Sequence, residues 1–150
     1  METTINKQRA FRPSAKTREI IVDIITYSFI ILFMYTATDK LLTIKSFTST
    51  LAKSPLIAGY HMIIAWAIPI IEIVISIILI IPSARKAGLQ ASFLLMTTFT
   101  LYLIYMVLSG SKLPCHCGGV ISAMTWQQHI WFNVAFVTLA IFGLIISRKK

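Results

Sequence analysis

Residues 56–81 read LIAGYHMIIAWAIPIIEIVISIILII, and Glu72 is the only Asp, Glu, Lys or Arg among them. An apolar run beyond about 18 residues with hardly a charge marks a membrane span. At about 1.5 Å of rise per residue it crosses a hydrocarbon core of about 30 Å. Isoleucine and its apolar neighbours cover every face of this segment, as expected where lipid is the solvent.

Three further stretches read the same way: Ile20–Thr38, Ala87–Leu108 and Trp126–Ile146. Pro55, Pro82-Ser83 and the segment from Gly110 to Gly119 punctuate them. The expected fold is all-α, an integral membrane four-helix bundle. Residues 20–147 form its transmembrane domain, with basic segments at 1–19 and 148–150. Hydrophobic residues make up 57% of the chain and charged residues 13%, which excludes an ordinary soluble domain.

The net charge of +9 would suit nucleic acid, but the basic residues gather at the ends of the apolar runs. That is the footprint of membrane topology and contact with the lipid bilayer, so no nucleic-acid partner is expected. With the N-terminus inside, Lys7, Arg9, Arg12, Lys16, Arg18, Arg85, Lys86, Arg148, Lys149 and Lys150 are cytoplasmic, ten in all, against Lys40, Lys45, Lys53 and Lys112 outside. The positive-inside rule selects this arrangement, with both termini in. The first apolar run is long and is followed by Thr36-Ala37-Thr38-Asp39-Lys40, a poor cleavage site, so it reads as an uncleaved anchor.

After the first span, Leu41, Ile44, Phe47 and Leu51 recur at helical spacing among Lys40, Lys45 and Lys53. This stretch reads either as a short interfacial helix with its lysines snorkelling to water or as an extension of span one.

The last break holds both cysteines of the chain, Cys115 and Cys117, with His116 between them. On the outer side of a bacterial inner membrane this segment would meet an environment that permits disulfides. Pro114 discourages a helix before the thiols, Gly118-Gly119 loosens the chain after them, and Thr125 with Gln128 forms a capping box for span four. In an extended chain, residues i and i+2 share a face with α-carbons about 6.5–7 Å apart, at the upper edge of what a disulfide tolerates. A bridge there is strained and labile, and closing so short a loop restricts little chain entropy. Both points favour exchange chemistry over bracing. A protonated His116 would stabilise a thiolate; in a strand it would instead face away.

Cys115, His116 and Cys117 are also potential copper or zinc ligands, to which His61 and His129, both on the same side, could add. Against this, consecutive residues rarely all reach one ion, so no metal is assigned.

Among the intramembrane polar residues, Glu72, Asn133, Asp39 and Lys40, Glu72 stands out, about 14 Å from the cytoplasmic end of its span by helical rise. A carboxyl at that depth faces the bundle interior, either for proton or quinone contact or hydrogen-bonded between helices. Pro69, one turn earlier, frees a backbone carbonyl there. Asn133 needs a partner in lipid. Asp23 and Asp39, at opposite ends of span one, read as solvated or lysine-paired, and Tyr60, Trp66, Trp126 and Trp131 as interfacial anchors.

Lys40-Leu41 and Phe47 after the first span, Pro69-x-x-Glu72 in the second and Cys115-x-Cys117-Gly118 before the last together resemble the methylamine-utilisation MauE proteins and the wider DoxX-like membrane family, over about Ile20–Ile146. The resemblance implies a four-helix membrane bundle with a part in thiol redox or electron supply to exported proteins. In the family's namesake, that part is the maturation of a disulfide-rich dehydrogenase subunit. It also implies a periplasmic thioredoxin-like partner acting in trans. Two positions depart from the family: Gly118-Gly119 stands where Phe-Gly often follows the second cysteine, and Ala37-Thr38 where a small residue commonly precedes the lysine.

The function expected is therefore inner-membrane thiol–disulfide electron transfer by Cys115 and Cys117, with a quinone as a candidate membrane carrier. The alternatives are a non-catalytic subunit of a larger membrane complex or homo-oligomer, and a copper- or zinc-handling protein.

Overall fold

Ser14 starts the first helix. Its hydroxyl oxygen accepts the Thr17 amide at 3.2 Å, the cap that an otherwise unpaired N–H at a helix start requires. From there α1 runs Ala15–Leu42, beyond its apolar run at both ends. In this computed structural model, which describes residues 14–54, 56–109 and 125–147, four more α-helices follow. They are α2 (Ile44–Ala52), α3 (His61–Ile80), α4 (Arg85–Leu108) and α5 (Trp126–Ser147). Short 3₁₀ turns, Ala58–Tyr60 and Pro82–Ala84, lead into α3 and α4. The four long helices are each long and apolar enough to cross a membrane, in agreement with the four spans read from hydropathy. Cys115, His116 and Cys117 lie outside the described residues, as do most of the basic N-terminal segment and residues 148–150.

The four long helices close a ring: α1 packs on α3 and α5, and α4 packs on α5 and α3. Each turns a stripe at three- and four-residue spacing to the centre. On α5 the stripe is His129, Asn133, Phe136, Ala140 and Gly143; on α1 it includes Phe29, Phe33, Thr36 and Lys40. Phe29 is the hub, 5.6 Å from the Phe33 ring centroid and edge-on to Phe136 at 5.3 Å. Ile25, Ile75, Leu79, Leu89, Met96 and Ala140 complete this core. At Gly88 of α4 the backbone comes so near α3 that a Cβ would lie 3.3 Å from the Leu79 α-carbon.

The outward faces are apolar instead. Ile24, Ile31, Ile63, Ile70, Leu94, Leu101 and Trp131 are all exposed, while Lys40, Glu72, Ser92, His129 and Asn133 are buried. A solvent of hydrocarbon explains that inversion. Many hydroxyls within the spans hydrogen-bond their own helix, although the buried Thr26 hydroxyl has no partner among the described residues. Ser28, Ser76, Ser92, Thr97, Thr100 and Thr138 each donate to the carbonyl four residues back, at 2.7–2.9 Å.

Between the first two spans, Thr43 interrupts the helix and α2 leaves α1 as a separate element. Phe47 and Leu51 of α2 pack on Ala65, beside Ile64 and Ile68. The short helix is thus braced against the first turns of α3. Lys45 and Lys53 are exposed, as a snorkelling pattern requires, but Lys40 belongs to α1 and is buried. Its position on the inward stripe, one turn beyond Thr36, carries it into the bundle.

Candidate functional site

One end of the bundle gathers the C-terminal end of α1, all of α2, the start of α3, the C-terminal half of α4 and the start of α5. The chain leaves α4 at Ser109 and enters α5 at Thr125 at this same end. Tyr102 and Met106 of α4 meet Ser54, which follows α2: the Tyr102 hydroxyl lies 3.1 Å from Ser54 Oγ, and that hydroxyl points to the Met106 sulfur at 3.8 Å. Thr125 caps α5 reciprocally. Its hydroxyl accepts the Gln128 amide at 3.3 Å, and the Gln128 side-chain oxygen accepts the Thr125 amide at 3.0 Å.

Inside this end, Lys40 Nζ of α1 donates to Glu72 Oε1 of α3 at 2.7 Å, with the residues 4% and 1% exposed. Glu72 thus meets a paired cation across the helix interface rather than a neutral hydrogen-bonding partner. Lys40 Nζ also lies 5.7 Å from the centroid of the Phe99 ring of α4, so the cation is held by groups from two other helices. Glu72 Oε2 is sealed from solvent and accepts no hydrogen bond among the described residues. The hydroxyl of Thr36 is turned to the Phe33 carbonyl at 3.3 Å. Such a pair in low dielectric costs several kcal/mol of desolvation per ion, about as much as its attraction returns, so it is weak evidence for stability as such.

The pair borders a cavity of about 330 Å³. Its walls are largely apolar, among them Phe33, Phe47, Leu51, Phe99 and Phe132. Lys40, Glu72, Thr36, His129 and Asn133 supply polar groups, together with Thr98 and Tyr102. His129 and Asn133 are one turn apart on α5 and both buried. Asp39 does not join them: it is half-buried, and its carbonyl accepts the Thr43 amide and hydroxyl that end α1.

His61 sits at the start of α3 with Nδ1 against the Ala58 carbonyl and does not line this cavity. Among the described residues no three of His, Cys, Asp and Glu come together to hold a metal. The Cys115–His116–Cys117 part of the candidate ligand set lies outside them.

At the opposite end Arg85 of α4 bonds the Asp23 carboxylate of α1. Asp23 is thus neither free nor lysine-paired. Sequence reading passed over Thr36, Phe99 and Tyr102. Thr36 stands one turn before Lys40 on a single stripe, which is the signal that was there to be used.

Polar and charged side chains turned inward, apolar ones turned to the surroundings and four long helices in a ring define a multi-pass membrane protein with an enclosed ionic site. The sequence model of the family described as methylamine utilisation protein MauE matches residues 18–146. The chain belongs to that family, within the MauE/DoxX-like group of membrane proteins. No match was found among curated proteins or among solved structures.

Proposed function

We propose that this protein is an inner-membrane thiol–disulfide redox protein, with Cys115 and Cys117 cycling between dithiol and disulfide. It passes electrons between an exported thioredoxin-like or disulfide-containing partner and a carrier in the membrane. The observation that carries this reading is positional. The only two thiols of the chain lie between Ser109 and Thr125 in sequence, and those residues flank the end of the bundle that holds Lys40, Glu72, His129 and the cavity. Membership in the MauE family supports it. In the N-in, C-in arrangement favoured by the basic residues, that end faces the oxidising side.

One cysteine attacks as the thiolate and the second resolves the mixed disulfide, so removing the resolving thiol should trap the partner. Cys115→Ser and Cys117→Ser variants, expressed in the native host and quenched with acid and a mass-tagged maleimide, test this. One variant is expected to accumulate a mixed disulfide and the other to accumulate none. If the thiols of the native protein never change labelling state with growth conditions, and both variants leave the partner's redox state untouched, the reading is overturned in favour of a non-catalytic membrane subunit.

A further inference from the structure

The end of the bundle opposite Lys40 and Glu72 holds a second cavity, of about 600 Å³, which the thiol reading does not use. It opens among the first turns of α1, the Pro82-Ser83 turn with the start of α4, and the end of α5. α1 and α4 stand diagonally across the ring and barely touch, and the gap between their N-terminal ends is this space.

Its charged groups are weighted toward cations. Arg18 of α1 and Arg85 and Lys86 of α4 line it, against the carboxylates of Glu19 and Asp23. Asp23 is already engaged by Arg85 Nη1, and Glu19 is exposed. A guanidinium carries five N–H donors. Among the described residues Asp23 takes one from Arg85, while Nε is sealed from solvent and has no acceptor. The start of α4 adds to this: no acidic residue stands in its first turn and no side chain caps it. The positive end of its dipole therefore favours an anion there.

The occupant also has to match the walls. Val22, Pro82 and Ile146 are apolar, and Ile20 and Ile24 of α1 and Ile145 of α5 are exposed on the flanks of the same end. A free anion would answer the cations and leave this apolar surface wet. A bare acyl chain would do the reverse. A choline headgroup would bring its own cation against Arg18 and Lys86. A phosphodiester of net negative charge, joined to acyl chains, answers both halves. Basic pockets between the ends of spans are where such headgroups are held.

We propose that this cavity seats the phosphate of an acidic phospholipid, with Arg85, Arg18 and Lys86 donating to its oxygens and the acyl chains lying along the apolar outer faces of α1 and α5. The inference is independent of the thiol reading, since it needs neither cysteine. In the N-in, C-in arrangement the lipid belongs to the cytoplasmic leaflet.

The test uses the full chain in detergent, titrated with phosphatidylglycerol, phosphatidylcholine and inorganic phosphate, with bound species counted by native mass spectrometry. One phosphatidylglycerol per chain should bind saturably, with phosphatidylcholine weaker by about tenfold or more. Inorganic phosphate in excess should not displace the lipid.

Each lysine or arginine facing an acidic headgroup is worth about fivefold in binding. Arg18→Gln/Lys86→Gln should therefore weaken phosphatidylglycerol by about tenfold or more. Arg18 is half-buried and Lys86 exposed, so helicity should hold. Ser83→Glu, at an exposed position on the cavity rim, sets a carboxylate against the phosphate and should weaken binding as well. Lys45→Gln/Lys53→Gln removes the same charge from exposed sites at the other end and should change binding by less than about twofold. Equal binding of the two lipids, or equal losses in the two double variants, overturns the proposal in favour of diffuse contact with lipid. Displacement of the lipid by inorganic phosphate overturns it in favour of a free-anion site.

Discussion

Lys40 and Glu72, 32 residues apart in sequence, meet at 2.7 Å in the interior of the bundle, the one from the end of α1 and the other from the middle of α3. Removing one partner leaves an uncompensated charge in low dielectric, a loss of about 3–5 kcal/mol. Removing both for apolar side chains of similar volume is often neutral or stabilising. Lys40→Met and Glu72→Met should therefore each destabilise strongly, and the double variant should recover most of the loss. A double-mutant cycle by SDS titration or thermal unfolding in detergent checks this. Losses that simply add would mean the two charges are not coupled.

The Arg85–Asp23 pair at the other end makes the contrast. Its side chains are 24% and 35% exposed, and pairs reached by water and salt are worth only about 0–1 kcal/mol. Asp23→Asn is expected to cost little and to cost less still at high salt, measured by the same unfolding titration at two ionic strengths.

How much of this was legible beforehand follows from what kind of rule each feature obeys. The spans were readable because the bilayer sets length and composition locally, residue by residue. The cap at Thr125 and Gln128 was readable because its partners are three apart. Lys40 was legible as an intramembrane polar residue, but its place at the end of an apolar run equally suggested a lysine snorkelling to water. The stripe Phe29, Phe33, Thr36, Lys40 says otherwise, but only once α1 is known to run to Leu42. The pairing of Asp23 with Arg85 depends on α4 lying near α1, and the cavity depends on gaps summed over five helices. No local pattern encodes either.

Gly88 tests the close approach of α3 and α4. A Cβ there would lie 2.7 Å from Leu79 Cδ2 and 3.3 Å from its α-carbon. The methyl can rotate away, but the backbone has no such freedom. Overpacking costs about 1–3 kcal/mol, against a helix-propensity gain of about 1 kcal/mol for alanine over glycine. Gly88→Ala is expected to lose stability on balance and Gly88→Leu to lose more. A stabilised Gly88→Ala variant would show that the helices can separate at no cost.

At the start of α5, Thr125→Ala removes the hydroxyl that accepts the Gln128 amide at 3.3 Å. Loss of such a cap costs about 0.5–2 kcal/mol. The effect should be local: faster amide hydrogen exchange over residues 126–129, with α1 and α3 unchanged. Uniformly faster exchange would instead mean that the first turn of α5 is part of what holds the whole bundle.

Orientation decides which compartment the two thiols meet, and it can be tested without them. In a chain with Cys115 and Cys117 replaced by serine, single cysteines introduced as Lys112→Cys and Arg9→Cys report the two sides. The basic residues at the chain ends and at Arg85-Lys86 oppose translocation of their flanks. A membrane-impermeant maleimide should then label Lys112→Cys in intact cells, and Arg9→Cys only after permeabilisation. The reverse pattern would place the cysteine segment against the reducing cytosol, where a labile disulfide between adjacent thiols would not persist. Thiol exchange with an exported partner would then have no route.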